Sequence, residues 1–428
     1  MDAVRRALEI GRRDGMYELV VTAAGYAYRQ YVPSRALFDL FQLVLFALSF
    51  AIERRSDLWV FGSHFGYADN SKYMYLYVHD RVEDVEAVWV GTDRDTIDSL
   101  EESGYAAASA YTLRGLRCLL RARVVLVTRA LTDVGPWGAV RGARTVLLGH
   151  GTPMMESTNV NPLWERLEER FATKRFDDFV VTGDGRPREA FERTDYYPTG
   201  DTDFLTSNYP RTDALFGRIR GSQSGLERSF DEILDRLSGE VDVLFYLPTK
   251  RHYDDTTPLL TERGVEQLDE FLGDVGAHLV VKLHPRDEPG EDLDGERITM
   301  LPTAMDIYPV LRHSDVLITD YSSVYLDFLL LDRPIVFFPY DIDEFTRSRP
   351  MIFEYESVTP GPKAATVESL LEKLRRTLTG TDGDADRRAA LRDAYFESGG
   401  GSASADLFER IRRRVTAEAT AVDGASDR

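Results

Sequence analysis

The strongest constraint on the fold lies in residues 279–341, where three short apolar runs are separated by helix-length segments. LVV (279–281), VLIT (316–319) and IVFF (335–338) are rich in β-branched residues. This alternation predicts βαβ units and a parallel sheet. In such sheets ligands bind beyond the carboxyl ends of the strands. Those ends carry His284-Pro285, Asp320-Tyr321-Ser322-Ser323 and Pro339-Tyr340-Asp341, so polar residues recur where a site is expected.

The upstream half repeats the pattern. Strands are predicted at 58–62, 87–90, 124–127, 145–148 and 179–182, with helices between them. One of these helices starts near Asn70, with Asp69, Asn70 or Ser71 as its cap. The strand at 145–148 runs directly into Gly149-His150-Gly151-Thr152-Pro153, where two glycines permit a sharp turn and close approach to a ligand. Patterning fades between 194 and 221, which places a junction near 205–225. A second series opens with a helix at 226–237 and a strand at 241–246, and ends in helices near 366–378, 384–396 and 403–418. At 428 residues the chain exceeds one ordinary core. The expected organisation is a helical segment (1–57), a first Rossmann-like domain (58–215), a second (216–418) and a disordered tail (419–428).

Composition narrows the function. The net charge is −20, and of 52 basic residues only six are Lys (72, 174, 250, 282, 363, 373), leaving 46 Arg. The acidic, lysine-poor balance suggests a halophile's surface or a GC-rich genome, and it argues against nucleic acid as a partner. The lone cysteine, Cys118, excludes an intramolecular disulfide and a cysteine metal cluster. No HExxH-like pair occurs among the seven histidines, and Asp201-Thr202-Asp203 reads as loop acidity rather than a metal dyad. The opening residues lack a signal peptide's apolar centre, so a cytoplasmic location is expected. Residues 35–55 form the most apolar run, too short at its core for the roughly 20 residues of a membrane span. It reads as a helix that either packs on the first domain or docks on a membrane surface or partner.

Seven segments occur in order: FGSHFG with DNSKYMY (61–75), HGTP (150–153), NYPRTD (208–213), LPTKR (247–251), KLHP (282–285), ITDYSS (318–323) and FFPYD (337–341). Together they resemble the CDP-glycerol glycerophosphotransferase family of teichoic-acid primases and polymerases. The resemblance covers about residues 58–345 and implies a GT-B fold. Two departures stand out. Met155 occupies a position where the family usually has lysine, and Lys250 one where an aromatic is usual.

The resemblance implies attack by an acceptor hydroxyl on the β-phosphorus of a CDP-alcohol, most simply CDP-glycerol, with release of CMP. The acceptor would be lipid-linked or a surface glycan at the inner face of the membrane. No obligatory cofactor or metal is implied. A base near the hydroxyl and positive groups around the phosphates are required. His150 is the candidate base and His284, kept extended by Pro285, a donor to the phosphate or leaving group; these roles are interchangeable from sequence alone. Ser322 or Ser323 is the natural cap of a helix whose amino end suits a pyrophosphate. Arg211 and Arg251 are candidate phosphate clamps, and Thr249 offers a hydroxyl. Gly151, Thr152, Asp213 and Asp320 are supporting residues, with Asp213 expected to orient Arg211 or close a turn. Asp327 reads either as a contact to ribose or acceptor, or as an answer to the helix dipole. A nucleotide-sugar glycosyltransferase on the same scaffold is the alternative enzyme, and a non-catalytic scaffold for polymer assembly the more remote one.

Overall fold

The computed structural model describes residues 32–156, 175–194, 202–224, 226–238, 241–251, 257–283, 296–302, 304–380, 382–397 and 399–426. The chain folds around two wholly parallel sheets. The first contains β1 (Arg55–Gly62), β2 (Glu86–Gly91), β3 (Ala107–Ser109), β4 (Ala122–Val127), β5 (Arg144–Leu147), β6 (Asp178–Val181) and β7 (Asp203–Thr206), in the order β3-β2-β1-β4-β5-β6-β7. The second contains β8 (Asp242–Leu247), β9 (Ala277–Val281), β10 (Ile298–Met300), β11 (Val316–Thr319) and β12 (Ile335–Phe337), in the order β10-β9-β8-β11-β12.

Side-chain alternation explains why both sheets are covered on both faces. In β1, Leu58 and Val60 enter one apolar cluster while Trp59 and Phe61 enter another. In β8, Val243, Phe245 and Leu247 point one way and Leu244 and Tyr246 the other. Strand order reverses between β8 and β11, and their carboxyl ends form the switch point at which such sheets bind ligands.

Several expectations need correction. β3, β7 and β10 are short edge or near-edge strands whose few residues carry too little periodicity to stand out. β7 begins at Asp203, so that residue, read as part of an acidic loop, is the first of a strand pairing with β6. The last helix runs Ala403–Ser426, past the point where disorder was expected. It also returns to the first sheet, where Leu407, Phe408 and Ile411 pack with Trp59 and Met74. The helix Asp69–Arg81 is preceded by Ala68 as its cap, without a side-chain capping bond, and Asp69 serves another purpose described below.

The helix Val32–Ala51 packs on the body of the first half along one face. Gln42 and Leu45 are buried, and the Gln42 side-chain carbonyl accepts from Gly138 N at 2.8 Å. Arg54 donates to Leu119 O and Ala122 O and so fixes the end of this segment to the body. On the other face Leu40, Leu43, Val44, Leu48 and Phe50 are exposed. No helix among the described residues is long and apolar enough to cross a membrane.

Candidate active site

A cavity of about 570 Å³ opens between the carboxyl ends of the two sheets. The first half contributes Phe65, Arg129 and residues 149–155; the second contributes residues 247–250, Lys282 and residues 321–324.

His150 follows β5 in a loop shaped by Gly149 (φ 73°) and Gly151 (φ 115°), backbone conformations that favour glycine. A Cβ on Gly151 would lie 2.7 Å from Arg211 Nη2 and 3.3 Å from Ser323 Oγ, so the two halves meet here around a residue without a side chain. The His150 side chain is 61% exposed, whereas that of its partner Asp69 is 5% exposed. Asp69 is a carboxylate and accepts only, so Nδ1 of His150 donates to its Oδ2 and Nε2 is left for chemistry. The Phe65 ring packs over the imidazole with centroids 4.2 Å apart. Asp69 holds a positive φ of 65°, a strain that directs its carboxylate at His150. Burial alone would raise its pKa, but His150 and Arg211 outweigh that and hold it well below the usual carboxylate range.

Arg211 joins this dyad to the second half. Its Nη1 donates to Asp69 Oδ1 at 2.8 Å and to His150 O at 2.9 Å, and its Nε donates to Asp327 Oδ2 at 2.9 Å. Tyr308 donates to the same Asp327 oxygen at 2.6 Å. Arg211 is buried with its fork directed at carboxylates, which corrects its assignment as a phosphate clamp. Asp327 is buried in the first turn of the helix Val324–Phe328, and its Oδ2 accepts from Arg211 and Tyr308. Asp213 does not orient Arg211; its carboxylate accepts from Ala403 N at 2.7 Å and Ser404 N at 2.9 Å, capping the last helix.

The second half's side of the cleft is built around another buried arginine. Arg251 donates from Nη1 to Asp320 Oδ2 at 2.8 Å, and from Nε and Nη2 to the two oxygens of Asp341 at 2.6 and 2.9 Å. Its guanidinium is 4.9 Å from the ring centroids of both Tyr321 and Tyr340. It is therefore a strut of the loops rather than a free clamp, because its donors are used internally. Thr249 Oγ1 donates to Asp320 Oδ1 at 2.6 Å and lines the cavity.

Ser322 and Ser323 both line the cavity, but the helix they precede, Val324–Phe328, is only five residues long. Ser323 stands at the cap without a capping bond, and Ser322 Oγ accepts from Val324 N at 3.4 Å. The capping and dipole contributions expected there are thus small, leaving the hydroxyls themselves. Gly151 and Thr152 line the cavity as expected, while His284 and Pro285 lie outside the described residues. Among the described residues no group of three or more His, Cys, Asp or Glu side chains could hold a metal ion.

Sequence reasoning missed Asp69, Lys72, Asp306 and Tyr308. Lys72, buried on the Asp69–Arg81 helix, pairs with Asp306 of the second half and donates to Ser222 O at 2.9 Å, while Tyr73 donates to Asp306 at 2.6 Å. The available signal was the density of polar residues in DNSK at the start of a helix whose first turns are wholly buried.

Three comparisons bear on this site. Residues 44–413 match the family described as CDP-Glycerol:Poly(glycerophosphate) glycerophosphotransferase. The chain is 30% identical over 199 residues to a teichoic acid glycerol-phosphate primase of Bacillus spizizenii, covering 46% of this chain and 49% of that protein. It is 24% identical over 357 residues to a teichoic acid poly(glycerol phosphate) polymerase of Bacillus subtilis, covering 78% and 45% respectively. The chain thus spans about half the length of these two relatives. Its structure is similar to that of the wall teichoic acid polymerase TagF, with a TM-score of 0.70 at 20% identity over 94% of this chain and 99% of that one. This likeness shows the fold, the two-sheet GT-B type expected from the sequence.

Proposed function

The chain belongs to the CDP-glycerol glycerophosphotransferase family, and on that premise we propose that it transfers a polyol-phosphate unit from a CDP-alcohol, most simply CDP-glycerol, to an acceptor hydroxyl. The observation that carries this reading is the Asp69–His150 dyad facing Ser322 and Ser323 across one cavity. Nε2 of His150 takes the proton of the acceptor hydroxyl, whose oxygen forms a bond to the β-phosphorus. The bridging P–O bond breaks and CMP leaves with the electron pair. Asp69 fixes the tautomer and stabilises the imidazolium that forms, the task a carboxylate performs beside a histidine base. Ser322, Ser323 and Thr249 offer hydroxyls to the phosphates, and His284 is retained as the candidate proton donor to the leaving group.

The acceptor we infer is lipid-linked or a surface glycan. The exposed face of Val32–Ala51 supports peripheral contact with the membrane, since Leu43 and Phe50 are 60% and 64% exposed there. Co-sedimentation with liposomes tests this contact: recovery lost on replacing Leu43 and Phe50 by Asp supports it, and unchanged recovery rejects it.

The reaction is tested by incubating the protein with CDP-glycerol and candidate acceptors and following CMP. Release that disappears in His150→Ala is expected. A thermal-shift series of CDP-alcohols against UDP-, GDP- and CMP-sugars separates this reading from a glycosyltransferase, because the true donor stabilises most. Stabilisation by a sugar nucleotide alone would reject it.

A further inference from the structure

The helix Asp69–Arg81 meets the second half at its amino end. Asp69 holds His150, and Lys72 and Tyr73 lie one turn further along. Lys72 Nζ pairs with Asp306 and donates to Ser222 O at 2.9 Å, while Tyr73 donates to Asp306 Oδ2 at 2.6 Å. The Lys72 side chain is 1% exposed, and its ammonium lies 4.6 Å from the Tyr73 ring centroid.

Asp306 works in a second direction. Its Oδ1 accepts from Tyr308 N at 3.0 Å. Its backbone is held by the Gln223 side chain, with Gln223 Nε2 donating to Asp306 O at 2.9 Å and Asp306 N to Gln223 Oε1 at 3.3 Å. Tyr308 in turn donates to Asp327, which accepts from Arg211, and Arg211 donates to Asp69. These contacts form a closed ring that leaves Asp69 through its helix and returns to it through Arg211.

The ring joins the halves twice, at Lys72–Asp306 and at Arg211–Asp327. One such joint would act as a pivot, whereas two fix the angle. Ser322 and Ser323 directly precede the helix that carries Asp327, and Ile307, between Asp306 and Tyr308, lines the cavity. The ring therefore ties His150 to the serine wall. Lys72, Asp69, Arg211, Tyr308 and Asp327 are all buried, where water does not replace a lost partner.

We propose that Asp306 is a positioning residue of the reaction: from the second half it seats Lys72 and Tyr308 together, and so sets the placement of the His150 base in the first. The inference rests on the reading of His150 as base given above. Asp306 touches no reacting atom and acts through Asp69, whose carboxylate keeps the imidazole proton on Nδ1. Without Asp306, the start of the helix and Arg211 each lose one of the two ties that aim that carboxylate.

The test uses the full chain, CDP-glycerol and an acceptor that supports CMP release. Asp306→Ala alone strands the Lys72 ammonium, so Lys72→Met/Asp306→Ala is used to remove both buried charges. The double variant is expected to stay folded and to lose kcat at least about tenfold, with KM for CDP-glycerol within about twofold. Nitrogen-15 spectra are recorded near about pH 9, where an ordinary imidazole is neutral. The His150 signals, assigned by their loss in His150→Gln, are expected to change from a single Nδ1–H tautomer to a mixture. Asp178→Asn is the control, since it weakens the buried Arg144–Asp178 pair at the amino ends of β5 and β6, away from the cavity. It should lower the unfolding temperature and leave both kcat and the His150 signals unchanged. Should the double variant not fold, Asp306→Asn, read by the same two measurements, carries the test. Unchanged kcat, or a lower kcat with His150 still a single tautomer, overturns the inference while the CDP-alcohol reading stands. Absence of CMP release by the unaltered protein overturns both.

Discussion

Asp69 and His150 are 81 residues apart in sequence, yet Nδ1 of the histidine donates to the carboxylate of a residue held at φ 65°. Such strain persists only where surrounding contacts over-determine it, and here Arg211 and Asn70 supply them. Asp69→Asn is expected to lower kcat by about 10²–10⁴ and to change KM for the CDP-alcohol little. Because Asp69 titrates far below the usual carboxylate range, it stays ionised throughout the working pH range. Loss of rate on acidification therefore does not come from Asp69. A pH profile of kcat checks this, and an acid limb that persists in His150→Gln would refute the assignment.

The Arg211–Asp327 pair couples the base to the other half of the molecule. Both groups are buried, and Asp327→Ala strands the guanidinium with only its Asp69 side satisfied. Breaking a buried pair in this way costs about 3–5 kcal/mol. Tyr308→Phe removes one hydrogen bond to the same carboxylate and is expected to cost about 1.5–3 kcal/mol. Denaturant unfolding measures both, and the double variant should fall short of the sum because the two share Asp327.

Much of this architecture was legible because it is local. Apolar runs and their spacing showed nine of the twelve strands found among the described residues, and the glycines around His150 marked a loop at a strand end. The networks were not local. Arg211 could be named from its motif, but its partners Asp69 and Asp327 lie 142 and 116 residues away, and no periodicity connects them. Its role consequently changed from ligand clamp to strut, and Arg251 changed in the same way. Asp69 was hidden for a related reason: an Asp at the start of a helix reads as a cap, and only the tertiary structure turns it towards His150.

Asp133 offers a pH-dependent test away from the dyad. Thr128 N, Arg129 N and Thr128 Oγ1 all donate to its Oδ2, whereas Oδ1 is buried without a partner. Burial raises its pKa to about 6, with those hydrogen bonds opposing. The unfolded chain releases this proton near the ordinary value, so between about pH 4 and 6 the folded state binds the extra proton and stability falls as pH rises. The accumulated penalty above pH 6 is on the order of 3 kcal/mol. Asp133→Asn keeps an oxygen acceptor in the bonded position and removes the charge. It is expected to flatten the decline in thermal unfolding temperature between about pH 4 and pH 6; an unchanged decline would assign it to other groups.

Gly151 separates strain from site geometry when set against Gly276. Both have positive φ, 115° and 66°, so alanine is unfavourable at each. At Gly276, which ends the helix Glu262–Val275, an added Cβ meets nothing within 4 Å. Gly276→Ala is therefore expected to cost only the backbone term, about 1–2 kcal/mol, with activity retained. At Gly151 the same methyl would lie 2.7 Å from Arg211 Nη2, and Arg211 cannot withdraw because Asp69 and Asp327 hold it from two sides. The strain is relieved instead by shifting His150 or the Ser323 loop, and a displacement on the order of 1 Å at a reacting group can cost about 10²-fold in rate. Gly151→Ala is expected to reduce kcat by that order while remaining folded. Equal retention of activity in the two alanine variants would show that the close approach of Gly151, Arg211 and Ser323 is incidental to the chemistry.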